Sequence, residues 1–458
     1  MLTKIAWRML GIAVKIACAS KCAAAFVLRS PRPDIVSRPR VSGLRVVTLD
    51  VTEGAPREVS AFEEWAACVG IQRSDGFRLV AAAVDHTGFL DVSAATTEDV
   101  TAGSPVVFVP SDRILSAHRA MEEFGGCLGE IEELLSANGY GLDLRQYYLL
   151  LKVLAEAEKG QESDWFPYLN ALPRYYSNGA AMTPFCFSVV PPLVARLCKD
   201  ERARFKNFSL GKRGIPFLSA ETKGNEELWK WAYQVVYTRG FETNNGSGDF
   251  CLAPMADMFN HGTEANVELA YDNYGNCYAQ TTQDVLANTP LCMSYGDPTN
   301  PSFLLSRYGF LDQSSPATFC KLLPSHVSEE MINLGYAHNT MLFYKDTGDV
   351  SEQVWDVLLH MALDSDPATQ QQFYQAHMNG DYATKQAIHE RCYALTATKL
   401  AEHIQAVLHD LEELQRKGGG DIVAHPRLPL IMRHNEFVRD TFLAVQSRQG
   451  LGSNNYAQ

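Results

Sequence analysis

The chain has 458 residues, 46% of them hydrophobic and 20% charged, with 32 Gly, 21 Pro and 11 Cys. This composition excludes disordered, collagen-like and disulfide-scaffold classes, and at roughly 100–200 residues per domain it predicts about two to four structural units. The net charge of -13 is uneven: residues 1–49 hold nine basic side chains and one acid, Asp34, so the body is acidic and a poor partner for nucleic acid.

Taken from the N-terminus, Lys4 and Arg8 precede an apolar stretch, Met9 to Val14, which Lys15 interrupts. Cys22-Ala23-Ala24-Ala25 then offers a small-residue cleavage site before Phe26, and Arg29 to Arg45 is rich in Arg, Pro and Ser. The two segments together look like the two-part plastid presequence of diatoms and related algae; a disordered basic tail and a mitochondrial presequence are the alternatives. Residues 1–45 are therefore assigned to targeting, with a plastid destination, or else a cytoplasmic or mitochondrial one. Beyond them no apolar run of about 18 residues predicts a membrane span.

From residue 60 to 110 short strands are predicted, among them Phe77 to Ala81 and the proline-closed run Pro105 to Pro110. Between about 111 and 230 the pattern turns helical. Leu144, Tyr147, Tyr148, Leu151 and Leu154 set a helix over Asp143 to Glu158, and residues 205–225 read as a loop. Short strands return over 226–320, separated by turns such as Asn244-Asn245-Gly246 and Asp272-Asn273-Tyr274-Gly275. The last third is helical, with Ile388, Cys392, Leu395, Ile404, Val407, Leu411 and Leu414 on one face of a helix from Ala383 to Lys417. The fold class is therefore α+β: a β unit split by a helical insert, then an all-α lobe.

The densest polar signal is Asp257-Met258-Phe259-Asn260-His261, followed by Ser294-Tyr295-Gly296, Asn300 and Arg307-Tyr308-Gly309-Phe310. Singly these are weak, since Asn-His is a chance pair and Tyr-Gly is an ordinary turn. Their joint order is the signal. With Val106 to Pro110 and Trp165-x-Pro167-Tyr168-x-x-x-Leu172-Pro173, it resembles the SET-domain protein methyltransferases, in the branch of the Rubisco large-subunit and actin-histidine methyltransferases. The resemblance spans roughly residues 60–447 and implies a SET domain over 60–325 and a substrate-binding helical lobe over 326–447.

The same resemblance implies S-adenosylmethionine (AdoMet) as cofactor and a protein carrying a lysine as substrate. Arg239, Asp257, Asn260, His261 and Tyr295 would serve the cofactor, with Tyr295 also the catalytic residue beside the methyl group. Asp257 is expected to brace its loop rather than act as a base. Phe241, Tyr271 and Tyr308 would line the substrate channel. Phe241 and Ala256 stand where the histidine-modifying enzyme has Asn and Trp, which points to lysine; a histidine acceptor is the alternative. A monomer is expected. One departure stands out. A Gly-x-Gly-like cofactor loop aligns with Asp91 and Ser93, unless Thr87-Gly88 supplies the turn, so a catalytically inactive, protein-binding SET-like module is a further alternative. The eleven cysteines contain no C-x-x-C pair. No nucleophile elbow, Walker loop or H-E-x-x-H is present, and no metal is expected.

Overall fold

The structure is a computed structural model that describes residues 48–83, 90–319, 327–337, 339–420 and 422–450. The targeting segment expected over 1–45 and the Thr87-Gly88 turn lie outside the described residues. Two compact units are present. One takes the described chain up to Tyr176 together with Arg202–Tyr295, and the other takes Ser177–Glu201 and the chain from Gly296 onward.

The first unit carries the strands β1 (Gln72–Arg73), β2 (Phe77–Ala83), β3 (Leu90–Thr96), β4 (Pro105–Val109), β5 (Leu115–Ser116), β6 (Phe241–Glu242), β7 (Phe250–Leu252), β8 (Asn260–His261), β9 (Val267–Tyr271), β10 (Cys277–Thr281) and β11 (Cys292–Met293). The largest sheet has the order β1-β4-β10-β9, all antiparallel. Its middle strands are covered on both faces: Val106, Val107 and Val109 are buried, and so is every residue of β10, including polar Gln280 and Thr281. The register Tyr278↔Phe108 joins strands far apart in sequence, which splits the β unit around the helical insert as expected. Beside this sheet stand the hairpin β2-β3, the sheet β5-β7-β6 and the parallel pair β8-β11.

Within the insert, the apolar spacing of Leu144–Glu158 does form a helix, with Tyr147, Tyr148, Leu151 and Leu154 buried. The loop expected over 205–225 is corrected. The helix Pro192–Leu210 runs into that range, with Phe208 buried against the rings of Tyr147, Tyr233 and Tyr237. A short helix, Ala220–Gly224, follows behind a Ser219 cap. Burial of Phe208 outweighs the Gly, Lys and Asn residues around it.

The second unit is largely helical: Pro301–Tyr308, Glu352–Ala362, Pro367–Met378, Tyr382–Lys417 and Leu428–Arg448. It also holds a two-stranded ribbon, β12 (Ala317–Phe319) with β13 (Leu342–Tyr344). Phe343, Val357, Phe373, Leu400, Ile404 and Phe442 form its main core. Leu305 packs with Cys186, Val189 and Ile431 in a second cluster, which is why Ser177–Glu201 and the Pro301–Tyr308 helix belong to this unit. On the long helix Ile388, Ile404 and Leu411 are buried as expected, whereas Leu395 is exposed and Leu400 takes the core position. Among the described residues no helix is long and apolar enough to cross a membrane, and no three His, Cys, Asp or Glu side chains are grouped to hold a metal.

Candidate active site

The helix Glu226–Arg239 delivers the first site residue. Asn225 caps it, accepting from the Leu228 N–H at 3.0 Å, and Glu226 and Glu227 favour the positive end of its dipole. It stops at Gly240, where a side chain would meet the Phe250 ring and the Val236 carbonyl. Arg239 is therefore its last residue. Its Nη1 donates to the Asp257 carbonyl at 2.7 Å and lies 3.4 Å from Asp257 Oδ2.

Asp257 reaches that position through a constrained loop. Ala253 to Phe259 are all buried, and Met255 adopts φ 73° and ψ -43°, a conformation that costs a non-glycine residue about 1–3 kcal/mol. The turn brings Asp257 Oδ2 to the Tyr168 hydroxyl, which donates at 2.8 Å. Burial pushes the Asp257 carboxyl up, only partly countered by Arg239 and Tyr168, while Asp257 in turn holds Arg239 firmly charged despite burial. Desolvation and Asp257 together push the Tyr168 phenol well up, so it keeps its proton. Asp257 thus braces the loop, the helix end and the Tyr168 segment together.

Beyond the loop, Asn260 and His261 form β8, in parallel register with Cys292 and Met293 of β11. His261 Nδ1 accepts from the Tyr295 N–H at 3.1 Å, and the Tyr295 hydroxyl donates to the Phe259 carbonyl at 2.7 Å. These two bonds interlock Phe259–His261 with Tyr295. Asn260 Nδ2 donates to Asp91 Oδ2 at 2.9 Å. Asp91 and Ser93 are not in a loop, contrary to expectation. They pair with Ala82 and Val80 inside the β2-β3 hairpin, and it is as a strand side chain that Asp91 reaches Asn260. The alternation of Leu90, Val92 and Ala94 with Asp91 and Ser93 carried that strand signal.

Arg57 is a further member, with no motif in sequence to mark it. Its Nε donates to the Ala171 carbonyl at 2.8 Å. Burial first, then the charge of Arg239, pushes its guanidinium down to about 10, with Tyr176 and Asp91 acting the other way. Tyr168 was legible only as part of its Trp-x-Pro-Tyr segment. Of the remaining expected residues, half-buried Phe241 lies in β6. Tyr271 ends β9 with its hydroxyl 3.2 Å from the Cys251 thiol, in the core. Tyr308 belongs to the second unit, at the end of the Pro301–Tyr308 helix, its ring beside Phe303 and Phe310. The site therefore brings together Arg57, Asp91, Tyr168, Arg239, Asp257, Asn260, His261 and Tyr295.

Across solved structures, the chain superposes on the SET domain of LSMT bound to lysine and AdoHcy with a TM-score of 0.59 and 15% identity, over 87% of this chain and 91% of that one. The Rubisco LSMT structure bound to AdoMet matches at TM-score 0.55 and 16% identity, over 87% and 93%. The chain has the SET-domain fold in its Rubisco LSMT form. This SET-domain chain is also 29% identical over 187 residues to SET domain-containing protein 4 of Artemia parthenogenetica, covering 37% of this chain and 45% of the relative. The protein of the same name from Mus musculus is 25% identical over 180 residues, covering 36% and 41%. The chain thus spans less than half the length of these curated relatives. No family model matches it.

Proposed function

We propose that this chain is an AdoMet-dependent protein-lysine N-methyltransferase acting on a non-histone protein of the plastid. The observation that carries the reading is the interlock of Phe259–His261 with Tyr295 next to the Arg239–Asp257 pair. Methyl transfer is an in-line displacement that depends on positioning, and these bonds fix the groups that position. AdoMet, when bound, supplies an electrophilic methyl group on sulfonium.

The residues fit such a cofactor. Arg239 Nε is buried without a hydrogen-bond partner and, with the Arg57 guanidinium nearby, suits a carboxylate. The Asp91 carboxylate on Asn260 offers an acceptor for an ammonium group. Because His261 Nδ1 accepts from Tyr295, its neutral ring carries the proton on Nε2, a donor. Tyr295 spends its hydroxyl proton on Phe259, so its oxygen lone pairs remain to accept weak C–H···O contacts from a polarised methyl. Phe241 and Tyr271 are assigned to the lysine channel, whose apolar walls lower the pKa of the incoming ammonium and favour its loss of a proton. Lysine as acceptor is supported by Phe241 and by the lysine-bound LSMT neighbour. The plastid assignment rests on the Arg- and Ser-rich segment after Ala25-Phe26.

One observation favours a second reading. Asp91 engages the Asn260 amide, which the cofactor would need, as expected of a catalytically silent module that binds a partner protein. Calorimetric titration of the protein with AdoMet separates the two. Saturable one-site binding that Arg239→Ala abolishes supports the enzyme. No binding in a folded sample, restored by Asp91→Ala, supports the silent module.

A further inference from the structure

In the second unit, the helices Glu352–Ala362 and Tyr382–Lys417 enclose a cleft of about 400 Å³ whose lining shares no residue with the Arg239–Tyr295 site. Tyr382, Lys385, His389 and Tyr393 recur at helical spacing and so share one face of the long helix, and Glu352 and Trp355 come from the other helix. Tyr382 is 77% exposed and Tyr393 53%, although nothing in the helix itself requires aromatic residues there. The Trp355 and Tyr393 rings stand 5.9 Å apart, centroid to centroid, tilted by 34°.

Two of the lining residues, Lys385 and His389, share a buried partner. Asp356, only 1% exposed, accepts from Lys385 Nζ at 2.7 Å and contacts His389 Nε2 at 2.8 Å and His377 Nδ1 at 3.6 Å. Lys385 Nζ also donates to Glu352 at 2.6 Å. The single Lys385 ammonium is therefore held between two carboxylates, Asp356 and Glu352. The Glu352 side chain remains 67% exposed.

Three properties define the ligand. Aromatic, largely apolar walls reject a strongly hydrated ion, because its lost hydration is not replaced. The exposed Glu352 carboxylate disfavours anions. Ring faces attract a cation placed within about 6 Å of their centroids, and do so best when it is easily desolvated. An alkylated ammonium meets all three conditions, since its charge is spread over methyl groups and a fully methylated nitrogen has no N–H left to satisfy. We propose that this cleft binds a methylated lysine side chain carried on a protein, the trimethylated form above all. Trp355 and Tyr393 form its walls and Glu352 is the counter-charge at its mouth. The inference stands on the cleft alone and holds whether or not the chain itself methylates lysine.

The test titrates the full chain with Nα-acetyl-trimethyllysine amide and with its neutral isostere, in which carbon replaces the quaternary nitrogen. Saturable binding of the cation is expected, with the isostere at least about fivefold weaker. Tyr393→Ala should weaken it by about 5- to 30-fold at unchanged melting temperature, Glu352→Gln should weaken it as a second variant, and Tyr295→Ala should leave it intact. Equal affinity for the isostere would overturn the proposal, as would undetectable binding at tens of millimolar ligand. So would binding lost in Tyr295→Ala but kept in Tyr393→Ala. A dimer in sedimentation that Tyr393→Ala dissociates would show instead that a second copy of the chain covers the cleft.

Discussion

Asp257 shows how far one side chain governs the site. Its Oδ2 serves both Tyr168 and Arg239, and its Oδ1 is buried without a partner, so no reserve of hydrogen bonds exists there. Tyr168→Phe should therefore cost about 1–3 kcal/mol of stability in denaturant unfolding and weaken AdoMet binding, because Arg239 loses its fixed counter-ion. Tyr295→Phe, which removes the bond to Phe259, should slow methyl transfer while AdoMet binding survives; unchanged transfer would refute the role given to Tyr295. At this scale the sequence was partly legible. Asp257, Asn260, His261 and Tyr295 lie in compact motifs that assemble locally, through β8 and its parallel partner. Arg57 was not, since an isolated arginine acquires its neighbours only through contacts distant in sequence.

Among the elements, the helix Pro301–Tyr308 depends most visibly on its cap. Gly309 closes it at φ 83°, where a Cβ would approach Asn178 N to 2.6 Å. Gly309→Ala should destabilise the second unit by about 2 kcal/mol or more, read as a lowered melting temperature. Helix Leu428–Arg448 makes that unit acid-sensitive. His434 is 1% exposed, faces Ser302 Oγ at 3.2 Å, and is pushed down to about 4 by burial; His403 on the long helix is likewise pushed to about 4. Below pH 6.5 the unfolded chain takes up these protons and the folded chain does not, so stability is full above that pH and falls as pH drops toward 4. The loss is about 3 kcal/mol for His434 and less for the partly exposed His403. Melting curves between pH 7 and 4.5 should show it, and His434→Gln should flatten the slope. Helices with strong apolar periodicity, such as Leu144–Glu158, were legible in sequence. The end of Pro192–Leu210 was not, because Phe208 finds its aromatic partners only in the folded chain, whereas the alternation around Asp91 did carry the strand signal of β3.

For the whole molecule, the strand–helix–strand–helix order anticipated the split β unit and the motif resemblance the SET fold, whereas the allotment of Ser177–Glu201 to the second unit follows from packing around Leu305, which no local pattern encodes. The split sheet also sets an order of events during synthesis. β1 covers one edge of β4, but the other edge waits for β10, about 170 residues further along the chain. At about 5–20 residues per second the ribosome needs roughly 10–30 s to deliver it. Throughout that interval the backbone N–H and C=O groups of a valine-rich strand stand open to any passing extended segment. Chains arrested before Cys277 should accordingly sediment as aggregates, while chains completed through Met293 should not. The price of an interrupted sheet is thus charged to biogenesis, and a nascent-chain chaperone that shields residues 105–109 would raise the yield of folded protein without altering its final stability.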